Sequence, residues 1–153
     1  MAIETDLAYT AGIIDGEGYI GIKRHKKPEY NWNYNVRLQV TNTDKTLMDW
    51  LLIKWGGHIY SRLGRTERHA PQYIWTLNCQ DSVDMLQQLL PYLVIKQKQA
   101  QLAIGFQNNK NHHRRFYGYA PRTESEMAIE EAEYILMHEL KHSTHRGGKW
   151  HGS

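Results

Sequence analysis

Thr10-Ala11-Gly12-Ile13-Ile14-Asp15-Gly16-Glu17-Gly18 is the stretch on which the reading of this chain turns. Thr5 or Asp6 can cap a helix that runs through Ala8, Ala11, Gly12, Ile13 and Ile14. Two glycines in Asp15-Gly16-Glu17-Gly18 disfavour continuation, so the helix is expected to stop there, ending in acid. Ala8, Ala11 and Gly12 put small side chains on adjacent turns, which lets a second helix pack its backbone closely against this one.

From Tyr19 the period changes to two, with Ile20 and Ile22 on one face and Gly21, Lys23 and His25 on the other, the pattern of a strand. After a turn around Pro28, Asn33, Asn35, Arg37 and Gln39 alternate with Tyr34, Val36, Leu38 and Val40. Thr43 or Asp44 then caps a helix carrying Leu47, Trp50, Leu51 and Trp55, which Gly56-Gly57 ends. A second hairpin follows, placing His58, Tyr60 and Arg62 with Gln72, Ile74 and Thr76 on a polar face and Ile59, Tyr73, Trp75 and Leu77 opposite.

Asp81 or Ser82 caps a further helix with Val83, Leu86, Leu89 and Leu90, interrupted by Pro91, and another helix runs from about Ile95 through Leu102 and Phe106. Asn108 to Arg115 reads as a polar, basic loop. Thr123 and Glu126 have capping-box spacing for a last helix whose apolar positions are Met127, Ala128, Ile135, Leu136 and Leu140. Helix-strand-strand occurs twice without a strong sequence repeat. The fold class is therefore α+β, an α-β-β-α-β-β-α core with an antiparallel sheet as a saddle and helices on its opposite face. One domain is expected over residues 1–146, with residues 147–153 a disordered Gly-rich tail.

Composition narrows the function. An apolar fraction of 41% in 153 residues suffices for one sizeable core. The net charge of +3 permits a nucleic-acid partner without requiring one. Between Tyr19 and Trp75, however, ten lysines and arginines face only Glu29, Asp44, Asp49 and Glu67, so the basic charge is concentrated in the middle of the chain. The single cysteine, Cys79, cannot form an internal disulfide and reads as a structural, buried thiol. No apolar run approaches a bilayer's thickness and the first residues do not form a basic, apolar leader, so a soluble intracellular protein with no membrane partner is expected.

The nine-residue stretch resembles the LAGLIDADG motif, keeping its Ala-Gly pair, both acidic positions and the final glycine; Thr10 stands where Leu is usual. The resemblance continues through Tyr19-Ile20-Gly21-Ile22, Gln39-Val40-Thr41, Pro91-Tyr92-Leu93 and Lys96-Gln97-Lys98-Gln99-Ala100, in scattered matches over residues 5 to 107. It implies a homing endonuclease of the single-motif type, intron-encoded, from an organelle (chloroplast or mitochondrion) or the cytoplasm of a microbe. One copy of the motif implies a homodimer, with Ala8, Ala11, Gly12 and Asp15 at the interface between paired helices. Two carboxylates side by side at the helix ends would repel each other and call for divalent cations. The resemblance assigns these cations to Glu17 with the Gly16 carbonyl, Mg²⁺ being the natural metal and Mn²⁺ or Ca²⁺ able to substitute. It also places Lys96 and Asn42 in the catalytic site and makes Asp15 a structural residue holding the helix end.

The polar faces of both hairpins suit a DNA major groove, which admits a two-stranded ribbon. Lys23, Arg37 and Arg62 are expected at base edges, with Asn33, Asn35, Gln39 and Gln72, and with His25, Tyr60 and Ile74 on the same surface. Lys26, Lys27, Arg65 and Arg68 are expected on phosphates, and His112-His113 on the DNA backbone. The expected activity is a staggered double-strand break in a long pseudo-palindromic DNA site by metal-dependent phosphodiester hydrolysis. Its rivals are an RNA-binding maturase acting on intron RNA and a DNA-binding regulator without cleavage. His138-Glu139-Leu140-Lys141-His142 matches a zinc-binding pattern, with His145 as a further candidate, but reads better as solvated histidines near the chain end.

Overall fold

The computed structural model describes residues 3–26, 32–64, 66, 68 and 70–146, with only the backbone of Trp32 and of residues 143–146. The expectations on Lys27, Pro28, Glu29, Arg65, Glu67, the His145 side chain and residues 147–153 lie outside these. The chain runs α1 (Glu4–Glu17), β1 (Gly18–Lys26), β2 (Trp32–Asn42), α2 (Lys45–Trp55), β3 (His58–Arg62), β4 (Gln72–Asn78), α3 (Cys79–Leu89), a 3-10 turn (Leu90–Tyr92), α4 (Gln97–Tyr117) and α5 (Glu124–Arg146). The four strands form one antiparallel sheet in the order β1-β2-β4-β3.

Alternation in β2 is as expected: Tyr34, Val36, Leu38 and Val40 are buried while Asn33, Asn35, Arg37 and Gln39 are partly exposed. The buried set meets Ile20 and Ile22 of β1, Met48 and Leu51 of α2, Leu86 of α3 and Phe106 of α4 in one core. Each such side chain removed from water contributes about 1.5–3 kcal/mol. Asp44 caps α2, its Oδ1 accepting from Thr46 N–H at 2.9 Å. Gly56 and Gly57 end the helix at φ +74° and +93°, values that glycine adopts without Cβ strain.

Several local expectations are corrected. Thr5 and Asp6 lie inside α1, whose N-cap Ile3 has no side-chain cap, and the helix continues through Gly16 to Glu17. Asp81 and Ser82 likewise lie inside α3. Asn108 to Arg115 is helical, because with no proline or glycine to break it α4 persists to Gly118. In α5, Met137 and Glu130 are buried, whereas Ala128, Ile135 and Leu136 are exposed. Glu130 can face inward because Arg122 bonds its carboxylate. The Thr123–Glu126 capping box forms in both directions, at 3.2 and 3.1 Å. Cys79 is half-buried, its Sγ 3.7 Å from Asn35 Oδ1.

Candidate catalytic cleft and nucleic-acid interface

Glu17 closes α1 with its side chain exposed, and its Oε2 accepts a 2.7 Å hydrogen bond from Asn42 Nδ2 at the end of β2. The other atom of that amide, Asn42 Oδ1, accepts from Asp44 N–H at 2.9 Å. Asn42 therefore links the Glu17 carboxylate to the cap of α2, fixing both its own amide and the acid.

Asp15 points the other way. Its carboxylate accepts from the backbone N–H groups of Val94, Ile95 and Lys96 at 2.8, 3.2 and 3.0 Å. These bonds tie the end of α1 to the segment that leads into α4. Lys96 Nζ donates to the carbonyls of Ile14 at 2.7 Å and Gly18 at 2.6 Å. An ammonium at the C-terminal end of a helix meets the negative end of its dipole. Burial pushes the Lys96 pKa below its usual value, opposed by the nearby Asp15 carboxylate.

These groups border an open cleft of about 400 Å³ whose wall includes Gly16, Glu17, Gly18, Tyr19, Lys96, Gln99 and Lys141. Sequence reasoning missed Gln99, Tyr19 and Lys141 as cleft residues. Gln99 is 2% exposed and reaches the cleft from the first turn of α4. Lys141 arrives from α5, for which nothing in its local sequence signals a place beside Glu17. An exposed carboxylate beside backbone carbonyls supplies the hard oxygen donors that Mg²⁺ or Ca²⁺ takes. Among the described residues no three His, Cys, Asp or Glu side chains cluster for a metal, so Glu17 suits a cation completed by oxygens from outside this chain.

The sheet register puts the expected DNA contacts on one face. Lys23 pairs with Asn35, His25 with Asn33, Gln39 with Tyr19 and Thr76, Arg37 with Gly21 and Asn78, and Arg62 with Gln72. Opposed residues in an antiparallel pair share a face, so these side chains form one surface. Hydrogen bonds order it: Arg37 Nε to Asn78 Oδ1 at 3.1 Å, Gln39 Nε2 to Tyr60 Oη at 3.1 Å, and Arg62 Nη2 to Gln72 Oε1 at 3.3 Å. Lys26 and Arg68 are exposed beyond it. Tyr19 belongs to both this face and the cleft, which makes the two continuous.

Three expected positions are corrected. Ile74 is only 5% exposed, because it sits on the inner strand β4 between Thr41 and Tyr60, and it offers no free contact. Ala11 is fully buried in the chain's own core, so the exposed small residues of α1 are Ala8, Gly12 and Gly16. His113 is 7% exposed, with Nδ1 2.5 Å from Glu126 and Nε2 2.9 Å from the Ala120 carbonyl, which makes it a tie between α4 and α5. His112 stacks on Phe116 at 4.5 Å. The Nε2 atoms of His138 and His142 lie 3.0 Å apart and, among the described residues, gain no third ligand. Thr10 is explained by its bonds: fully buried, it accepts from Trp55 Nε1 at 2.9 Å and donates to the Asp6 carbonyl at 2.7 Å.

Fold and site together define a sheet-saddle α+β unit with an acid at the end of its first helix. The chain is 32% identical over 98 residues to the DNA endonuclease I-CreI of Chlamydomonas reinhardtii, a match covering 64% of this chain and 60% of that relative's length. No family model matches. The homing endonuclease I-CvuI, solved with I-CreI target DNA in the presence of Mg with the DNA not cleaved, superposes with a TM-score of 0.72 over 90% of this chain and 82% of its own at 18% identity. The archaeal intron-encoded homing endonuclease I-Vdi141I, complexed with DNA, gives 0.73 over 90% and 84% at 10% identity. The LAGLIDADG homing endonuclease I-SmaMI, bound to cleaved DNA, gives 0.66 over 88% of this chain but 44% of its own at 18% identity. The chain shares its fold with these LAGLIDADG homing endonucleases, and it spans less than two thirds of the length of the relative it matches in sequence.

Proposed function

We propose that the chain is a site-specific DNA endonuclease that acts as a homodimer and cuts both strands of a long, pseudo-palindromic double-stranded site. The observation that carries this reading is the Asn42-held, exposed Glu17 carboxylate in a cleft continuous with the polar sheet face. Pairing through α1 is supported by the exposed Ala8, Gly12 and Gly16, and by the fit of this chain to less than half of the longer I-SmaMI chain. Two copies would bring two Glu17 carboxylates together and double the basic sheet surface.

Glu17 and the Gly16 carbonyl would hold a divalent cation, Mg²⁺ for cutting, with Mn²⁺ or Ca²⁺ able to occupy the site. When bound, such a cation supplies Lewis-acid stabilisation of phosphodiester hydrolysis and lowers the pKa of water. Asn42 holds one oxygen of the Glu17 carboxylate and leaves the other for the cation. Lys96 spends two hydrogen bonds on helix carbonyls, and its third N–H remains for a phosphate oxygen or a water. Arg37, Arg62 and Lys23 suit guanine edges, Asn33, Asn35, Gln39 and Gln72 suit adenine or bridging water, and Lys26 and Arg68 suit phosphates.

The test is incubation of purified protein with a plasmid library of randomised long sites, with Mg²⁺ or EDTA, repeated with Glu17→Gln. Linearisation at one site that needs Mg²⁺ and is lost in the variant is expected. Binding of intron RNA without any cutting would replace this reading with the maturase, and DNA binding without cutting would replace it with a regulator.

A further inference from the structure

Lys141 lies more than a hundred residues from the motif, yet its side chain lines the same cleft as Glu17. Its Nζ sits 3.5 Å from the centroid of the Tyr19 ring, close enough for a cation–π contact. Lys23 Nζ lies 5.3 Å from the same ring, so cations from α5 and β1 converge on one aromatic. The approach depends on Gly21. A Cβ there would fall 2.5 Å from Lys141 Nζ and 2.3 Å from the Tyr19 hydroxyl, so the missing side chain makes room for both.

The segment that delivers Lys141 is anchored. Arg24 of β1 bonds Glu131 of α5 at 3.2 Å and lies 4.9 Å from the Tyr134 ring centroid. Met137, one turn before Lys141, is 1% exposed. Burial, with Lys23 and Lys96 nearby, pushes the Lys141 pKa down to about 8, which leaves it mostly charged at neutral pH.

We propose that Lys141 is a further catalytic residue, whose ammonium contacts the scissile phosphodiester in the cleft it shares with Glu17 and stabilises the charge developing there. This rests on the nuclease reading and deepens it. Such a contact acts mainly on rate, because preorganised donors count most where charge develops.

The experiment compares wild type, Lys141→Met and Lys141→Arg in single-turnover cleavage with Mg²⁺ and in target binding with Ca²⁺. Lys141→Met is expected to cut roughly 10–100-fold more slowly with affinity changed less than about threefold, and Lys141→Arg to recover most of the rate. Met-variant cleavage at the wild-type rate would overturn the proposal. In parallel, an amine-acylating reagent is applied to the wild-type protein with and without DNA, and labelling of Lys141 is read by mass spectrometry. DNA should protect Lys141, and equal labelling would overturn the contact. Because acylation needs neither cutting nor a variant that folds, a wild type that cuts nothing would defeat the nuclease reading while labelling still decides on the Lys141–DNA contact.

Discussion

The two helix–hairpin units have the same order of elements but end their helices differently. At the end of α1 the carbonyls of Ile14 and Gly18 are met by a charged ammonium, Lys96, and the last residue is an exposed acid. At the end of α2 the Gly56 carbonyl is met at 2.7 Å by the neutral indole of Trp75, itself fully buried, and Gly56-Gly57 turns the chain away. Both devices reach the carbonyl of a C-cap glycine, Gly18 in one and Gly56 in the other, which the helix itself does not pair. The difference teaches what turns a helix terminus into a site: α2 is closed by packing, whereas α1 is closed by charge and left open to solvent on one side.

If that distinction holds, substitutions at the first end should act on chemistry and those at the second on stability. Glu17→Gln should lower single-turnover cleavage about a thousandfold, near 4 kcal/mol, while leaving the denaturation midpoint in place. Trp75→Ala should cost about 3–5 kcal/mol in denaturant unfolding, through the cavity and the orphaned carbonyl. Lys96→Met is the hybrid: about 1–3 kcal/mol of stability from two lost charge-assisted hydrogen bonds, the Ile14 carbonyl keeping its bond from Gly18 N–H, measured by urea titration, together with slower cleavage. A stability loss with no change in rate would move Lys96 into the purely structural class. The N-terminal ends give the smallest effect. Asp44→Ala should cost about 1 kcal/mol in thermal unfolding, while Thr5→Ala, at a position that caps nothing, should cost less than half of that.

What could be read from the sequence follows the reach of local rules. Strand alternation and the Asp44 and Thr123 caps depend on residues within a few positions of one another, and the structure keeps them. The acid at the end of α1 and the assignments of Asp15, Lys96 and Asn42 came from the motif resemblance, and the structure brings these residues together. The extension of α4 through Asn108–Arg115 had no apolar period to announce it. The orientation of α5 escaped because its buried positions include Glu130, which is tolerated inside only through Arg122 from the preceding connection. Lys141 was invisible for the same reason: only packing against β1 puts it beside Tyr19, and the one trace in the sequence is the absence of a side chain at Gly21.

The Asp15 clasp on Val94, Ile95 and Lys96 also bears on the order of assembly. It joins the motif helix to the start of α4 inside one chain, so each half of the proposed dimeric site is finished when the monomer folds. Association then has no chain ordering left to do at that point. Refolding should show a unimolecular phase that fixes the cleft, followed by a separate encounter step whose rate alone scales with protein concentration.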